Sequence, residues 1–301
     1  MTTERISSKQ TYPSKYVDVL GSKMHFIEAG EGDPILLLHG VPTSGYVWRN
    51  VIPHLTALGR CIAPDLIGMG RSDKPDIAYT VFDHIRYIEK FIETLKLKNL
   101  VIVMHGWGSV IGFDYAMRHE KNCKGLVFYE SFLRSLDNAE EPSLPFQEQI
   151  IKLQDEESMR ELIVDGATFI DKIIPPIVMR HLSEEELENY RQPFVAEGAT
   201  KPILQYLKEL PKTTVNTKID ELIANYTKKL TQSSLPKLMM YSVPGFVTTI
   251  ATVMWAKEHL PNIEIVDIGE ELHLAQESNP ELLGETISIW LQEIEQAGAH
   301  E

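Results

Sequence analysis

Val103-Met104-His105-Gly106-Trp107-Gly108-Ser109 is an apolar run that ends in two glycines flanking a tryptophan, the form of a strand closing in a tight turn that opens a helix. Turns of this kind lift one side chain clear of a sheet, where a nucleophile stands in many hydrolytic enzymes. Here the lifted position is Gly106, which carries no side chain. Ser109 falls inside the start of the expected helix, and His105 is expected to point away from Gly106, so neither replaces a nucleophile.

Outward from this turn the chain alternates strands and helices. Ile35-Leu36-Leu37-Leu38, closed by His39-Gly40, is a continuous apolar run that suits a strand buried on both faces. Tyr16 to Leu20 and Lys23 to Ile27 alternate around Gly21-Ser22, the pattern of an antiparallel hairpin. A helix is expected near Val47 to Leu58, a strand at Cys61 to Pro64, a helix near Val81 to Leu95 and a strand from Leu100 to Met104. Beyond the turn, a helix from Ser109 to about His119 leads to a strand from Gly125 to Tyr129 that ends at Glu130. This alternation implies a predominantly parallel sheet.

From about Phe132 to Leu235 the pattern becomes helical (Glu148 to Leu162, Ser183 to Arg191, Thr217 to Leu230), with no convincing buried strand. Strand signals resume at Lys237 to Tyr241 and Ile263 to Val266, and a helix from about Pro280 to Ala297 closes the chain. A helical insertion between sheet strands sits over the carboxyl edge, where ligands of open α/β sheets bind, so the segment reads as a cap. A separate helical domain is the alternative. The expected division is a core over 1–131, the cap over 132–235 and the rest of the core over 236–301.

With 301 residues, 43% of them hydrophobic and 24% charged, the chain is long enough for one large α/β domain with an insertion and ordinary for a globular protein. A net charge of -14 makes nucleic acid and anionic membranes poor partners, because a phosphate-neutralising face needs clustered Lys and Arg. Cys61 and Cys123 lie in or beside apolar runs without metal-ligand spacing and read as buried thiols of a reducing compartment. Met1 to Ser14 has no apolar signal core and no stretch reaches the roughly 18 apolar residues of a membrane span, so a cytoplasmic protein is expected. A small hydrophobic molecule is the expected partner, with no cofactor or metal, and the chain is expected as a monomer or weak homodimer.

The chemistry is read at strand ends. Glu130 at a strand terminus and His273 in a late loop follow the turn in the order nucleophile, acid, base. The carboxylate would fix the imidazole's tautomer, and the imidazole would take a proton from water. The backbone N–H of Val41, after His39-Gly40, can pair with that of Trp107 as an oxyanion hole, while His39 can also simply brace its turn.

Three stretches then make the likeness specific: His39-Gly40-Val41-Pro42-Thr43-Ser44 with Val47-Trp48-Arg49-Asn50, the run from Ala63 to Pro75, and the turn at Gly106. With the later segments Glu161-Leu162-Ile163, Phe169-Ile170, Pro175 and Tyr190 to Phe194, the chain resembles haloalkane dehalogenases and the related coelenterazine luciferases from about Tyr16 to Ile294. The resemblance implies an α/β-hydrolase fold, a mostly parallel sheet with a helical cap. It places Glu130 in the subgroup with its acid after the sixth strand, since Ser242-Val243-Pro244-Gly245 lacks the acid of other subgroups.

What the resemblance implies chemically is a two-step displacement, in which an aspartate attacks the carbon bearing halogen and histidine-activated water hydrolyses the ester. Trp107 carries over as halide donor, Glu130 as acid and His273 as base. Trp107, the Val41 backbone, Phe169, Phe246 and Val247 form the expected binding set. Gly106 departs from the aspartate, Val41 from the asparagine expected as second halide donor, and Leu204-Gln205-Tyr206-Leu207 from a Trp- and Phe-bearing cap segment. Efficient dehalogenation by the family route is therefore not expected. An acid/base enzyme without a covalent step, a ligand-binding homologue and an engineered nucleophile knockout remain open.

Overall fold

The computed structural model describes residues 6–135, 166–210 and 218–298. Its centre is an eight-stranded sheet: β1 (Ser14–Val19), β2 (Ser22–Ala29), β3 (Pro34–Leu38), β4 (Arg60–Pro64), β5 (Leu100–Gly106), β6 (Cys123–Ser131), β7 (Lys237–Tyr241) and β8 (Ile263–Asp267). The spatial order is β1-β2-β4-β3-β5-β6-β7-β8. The hairpin β1-β2 is antiparallel and β2 meets β4 antiparallel; every other pairing is parallel. Every residue of β3 and β5 is buried, which is why both read as unbroken apolar runs, whereas the edge strands β1 and β8 alternate with exposed and polar positions.

The described helices are α1 (Val81–Thr94), α2 (Trp107–Arg118), α3 (Gly166–Ile173), α4 (Glu184–Arg191), α5 (Lys201–Glu209), α6 (Lys218–Leu230), α7 (Ile250–His259), α8 (Ala275–Ser278) and α9 (Pro280–Gly298). Thr80 and Asp83 form a reciprocal capping box at the start of α1, and Val81, Ile85, Ile88 and Ile92 turn its apolar stripe inward. Between β6 and β7 the regular elements among the described residues are all helical, as expected, and the segment Glu148 to Leu162 lies outside the described residues. No described helix is long and apolar enough to cross a membrane.

One expectation fails, and one helix was not foreseen. Instead of a helix near Val47 to Leu58, the chain makes two short 3-10 turns, Gly45–Trp48 and Ile52–His54. Pro53 has no N–H for the bond back to Arg49 and its ring crowds the preceding turn, so a continuous α-helix cannot run through it. Conversely, α7 carried no amphipathic signal, because Ile250 and Met254 are exposed at 52% and 60% while small residues face inward. Its start is set locally, by the Thr249 side chain accepting from Thr252 N–H.

A buried ionic knot joins the sheet to the inserted helices. The Arg49 guanidinium donates to Glu277 on α8 at 2.8 Å and to Glu186 on α4 at 3.0 Å, and Arg180 donates to the same two carboxylates. Burial alone would raise the Glu186 carboxyl, but hydrogen bonds from Arg180 and Ser183 outweigh it and bring it down to about 2.

Three fully buried histidines give the fold an acid limit. Burial pushes His84 down to about 4, lowers His39, and holds His105 well below the usual imidazole range. An unfolded imidazole titrates near about 6.5, so between that pH and about 4 the unfolded chain binds protons that the folded chain refuses, and stability falls as pH falls. The expected loss is on the order of 1 kcal/mol per pH unit from His84, with His39 and His105 acting in the same direction. Melting temperatures from pH 7 to 4 should decline from just below 6.5; a flat curve down to pH 5 would contradict this account.

Candidate active site

The three expected site residues converge at the carboxyl end of the sheet. Gly106 is the hinge between β5 and α2, at φ +51° and ψ −126°, in the region that L side chains rarely occupy. Gly108 answers a different demand: a Cβ there would lie 2.6 Å from the His39 carbonyl oxygen and 2.7 Å from that of Leu38, so α2 could not start so close to β3. Ser109 is a brace, donating from Oγ to the Gly106 carbonyl at 2.6 Å and accepting from Phe132 N–H at 2.9 Å. It is unavailable as a nucleophile, as its place in the helix start suggested.

Glu130 ends β6 with φ +49°, a strained angle for a residue with a side chain. What holds it is a dense set of donors to a completely buried carboxylate. Backbone N–H groups of Phe246 (3.1 Å), Val247 (2.6 Å) and Thr248 (3.3 Å) donate to its oxygens, and His273 Nδ1 lies 3.0 Å from Oε2. The imidazole of His273 is thereby fixed with Nδ1 toward the acid and Nε2 toward the turn. An ideal Cβ on Gly106 would stand 3.3 Å from Nε2 and 3.5 Å from Cε1.

Further groups steady the base. His105 Nε2 donates to the His273 carbonyl at 2.8 Å, its ring 4.4 Å from that of His273. The Tyr129 hydroxyl donates to the carbonyl of Leu272, and the Phe246 ring sits 5.0 Å from the imidazole. His39 is a brace: Nδ1 donates to the Gly40 carbonyl at 2.7 Å and Nε2 accepts from Leu66 N–H at 2.9 Å.

Trp107 is buried at 1% exposure and meets Phe132 and Tyr206 edge to face, at 5.6 and 5.0 Å between ring centroids. Tyr206, on α5, is the member of this set that sequence reasoning passed over, having marked Leu204 to Leu207 only as a departure. Val41 is buried beside Gly40, whose Cα would be 3.4 Å from a Gly106 Cβ. Of the expected binding set, Phe246 and Val247 meet the site through their backbones, which cradle Glu130. Phe169 is buried on α3, and no ring contact joins it to Trp107 or His273 among the described residues. Both cysteine thiols are buried and pushed up to about 12 by that burial. Among the described residues no three His, Cys, Asp or Glu side chains converge as a metal set would.

A model of the α/β-hydrolase fold matches residues 33–169. Haloalkane dehalogenase from Mesorhizobium japonicum is 34% identical over 281 residues, covering 92% of this chain and 91% of that protein. Haloalkane dehalogenase from Sphingobium indicum is 34% identical over 298 residues, covering 97% and 99%. The chain belongs to the haloalkane dehalogenase family. Haloalkane dehalogenase DbeA from Bradyrhizobium elkani superposes with a TM-score of 0.90 at 32% identity, over 95% of this chain and 99% of that one. DatA from Agrobacterium tumefaciens, also a haloalkane dehalogenase, gives 0.89 at 31% identity, over 95% and 98%.

Within this haloalkane dehalogenase frame, the backbone at Gly106 makes a stability prediction. An aspartate there must adopt φ near +51° and press its Cβ on His273, so Gly106→Asp should lower the unfolding free energy by roughly 1 to 2 kcal/mol. Chemical denaturation of the two proteins measures it; an equally stable aspartate variant would show that the turn is unstrained.

Proposed function

We propose that Glu130 and His273 form an acid/base site without a covalent nucleophile, acting on or binding a small hydrophobic molecule, halogenated or of ester or epoxide type, beneath a helical cap spanning 132–235. Gly106 stands at the nucleophile position of the family, and dehalogenation by the family route is absent or very weak. The observation that carries this reading is the imidazole of His273, held through Nδ1 by Glu130 at 3.0 Å, with Nε2 facing the bare turn at Gly106. In the reaction, water attacks the electrophilic carbon of the substrate while its proton passes to Nε2, and the bond from that carbon to halogen or oxygen breaks with its electron pair leaving on that atom. Glu130 accepts the hydrogen bond from the Nδ1 N–H, which keeps its proton, and stabilises the imidazolium that forms. Developing negative charge on the substrate is met by Trp107 and by the backbone N–H groups of Val41 and Trp107.

Loss of a covalent nucleophile costs on the order of 10⁴ to 10⁶ in turnover, so slow reactions on activated substrates are the ones to expect. The test is a panel of esters, lactones, epoxides and halides assayed with the protein and with His273→Ala. Turnover should vanish in the variant while ligand affinity changes less than a few-fold, because the base acts in the transition state and not in ground-state contact. Finding no His273-dependent turnover in the panel would remove the enzyme reading and leave ligand binding.

A further inference from the structure

At the elbow between β5 and α2, two independent features face the same small space. Gly106 is the N-cap of α2, a helix of 12 residues, and no capping side chain accepts from its first N–H groups. Free N–H groups and the helix dipole favour an anion there. The second feature is His273, which is 6% exposed. Its Nδ1 is committed to Glu130, whereas Nε2 has no hydrogen-bond partner among the described residues and keeps accessible surface. Nε2 stands 3.3 Å from the place of a Cβ on Gly106, so the imidazole is aimed at what sits on the helix start.

Chemistry narrows the anion. Azide displacing a halide would leave a carbon–nitrogen bond that a His/Glu pair does not cleave. A carboxylate leaves an ester, whose carbonyl carbon is open to water deprotonated at Nε2, so the pair returns the anion and the cycle closes. Size narrows it further. Nε2, Gly40 Cα and Cε1 of His273 lie 3.3 to 3.5 Å from the Cβ position, and an unattached molecule must also keep about 3.5 Å from Gly106 Cα. Formate, with only hydrogen on its carbon, meets this limit best, and every added methyl group is opposed.

We propose that the protein takes its nucleophile from solution: a small carboxylate of formate size binds over Gly106 and acts as a co-substrate that displaces halide. The inference rests on the acid/base site proposed above. One formate oxygen bonds to the carbon bearing halogen as the carbon–halogen bond breaks and its electron pair leaves on halide. Water then attacks the formyl carbon while its proton passes to Nε2, the bond to the alkoxide oxygen breaks, and the imidazolium protonates the alkoxide. Formic acid departs as formate and a proton. The test follows bromide release from 1-bromobutane with sodium formate, acetate or pivalate at constant ionic strength. Formate should accelerate it saturably, by about tenfold or more, acetate less and pivalate not at all. Oxygen-18 from labelled formate should appear in 1-butanol with the parent and in butyl formate with His273→Ala. Gly106→Ala, whose Cβ takes up the space beside Nε2, should lose the acceleration; the size series and the label keep the test valid even if that variant fails to fold. Labelled butyl formate accumulating with the parent would fault the acid/base pair and uphold the carboxylate site. No acceleration beyond that in protein-free solution, equal acceleration by pivalate, unlabelled products or full acceleration in Gly106→Ala would each overturn the proposal.

Discussion

Gly106→Asp should give this chain measurable halide release from short bromoalkanes, and adding Val41→Asn should raise the rate by a further factor of roughly 10 to 10³, the scale of one leaving-group donor. The acid, the base and Trp107 already stand around Gly106, so the carboxylate is the group that the two-step displacement lacks. Its oxygen would form the bond to carbon as halide leaves toward Trp107, and water deprotonated at His273 Nε2 would then cleave the ester. Restoring a covalent nucleophile is worth on the order of 10⁴ to 10⁶ in turnover, far above the 1 to 2 kcal/mol that the turn strain costs in stability. A positive φ on a residue with a side chain already occurs at the neighbouring strand end, where Glu130 holds φ +49°. Halide assays on the single and double variants decide it; a double variant no better than the parent would sink the reading of this pocket as a dehalogenase pocket without its nucleophile.

Glu130→Ala should lower the unfolding free energy by on the order of 3 to 5 kcal/mol, a loss of fold stability as well as of chemistry. The carboxylate is completely buried, and its removal leaves the N–H groups of Phe246, Val247 and Thr248 and Nδ1 of His273 without their acceptor. Glu130→Gln keeps the volume and one acceptor oxygen but turns an amide toward donors, so a smaller loss is expected. Denaturant titration of the three proteins should rank them parent, glutamine, alanine. An alanine variant within 1 kcal/mol of the parent would mean that water serves the loop as well as the carboxylate does.

The sequence exposed those parts of the site that are written in side chains at strand ends. Glu130 and His273 could be placed because an acid closing β6 and a histidine in the loop after β8 follow the elbow in a fixed order, and Gly106 because the turn around it has a definite form. The cradle of Glu130 could not be read, since it is made of backbone N–H groups, which every residue type but proline supplies. Tyr206 reaches Trp107 across the fold from α5, a contact that no local pattern encodes. In the fold, β3 and β5 announced themselves through burial on both faces. The turns around Pro53 did not, because the apolar spacing from Val47 to Leu58 reads as a helix that the proline interrupts, and the helix α7 did not, because exposed Ile250 and Met254 blur its inward face.

The ionic knot of Arg49, Glu277, Glu186 and Arg180 bears on how a ligand is received. Glu277 comes four residues after His273, and the intervening Leu274 donates its N–H to the Ile177 carbonyl of the inserted segment at 3.1 Å. His273 and this part of the inserted segment are therefore tied together, and Arg49, at the end of the turn after β3, ties both to the core. A base tied in this way has little left to reorganise when a substrate arrives, so the entropy of ordering it is spent during folding and not at each encounter. Amide hydrogen exchange across 271–278 should change little on ligand binding. Breathing that admits a ligand then falls to other walls of the pocket.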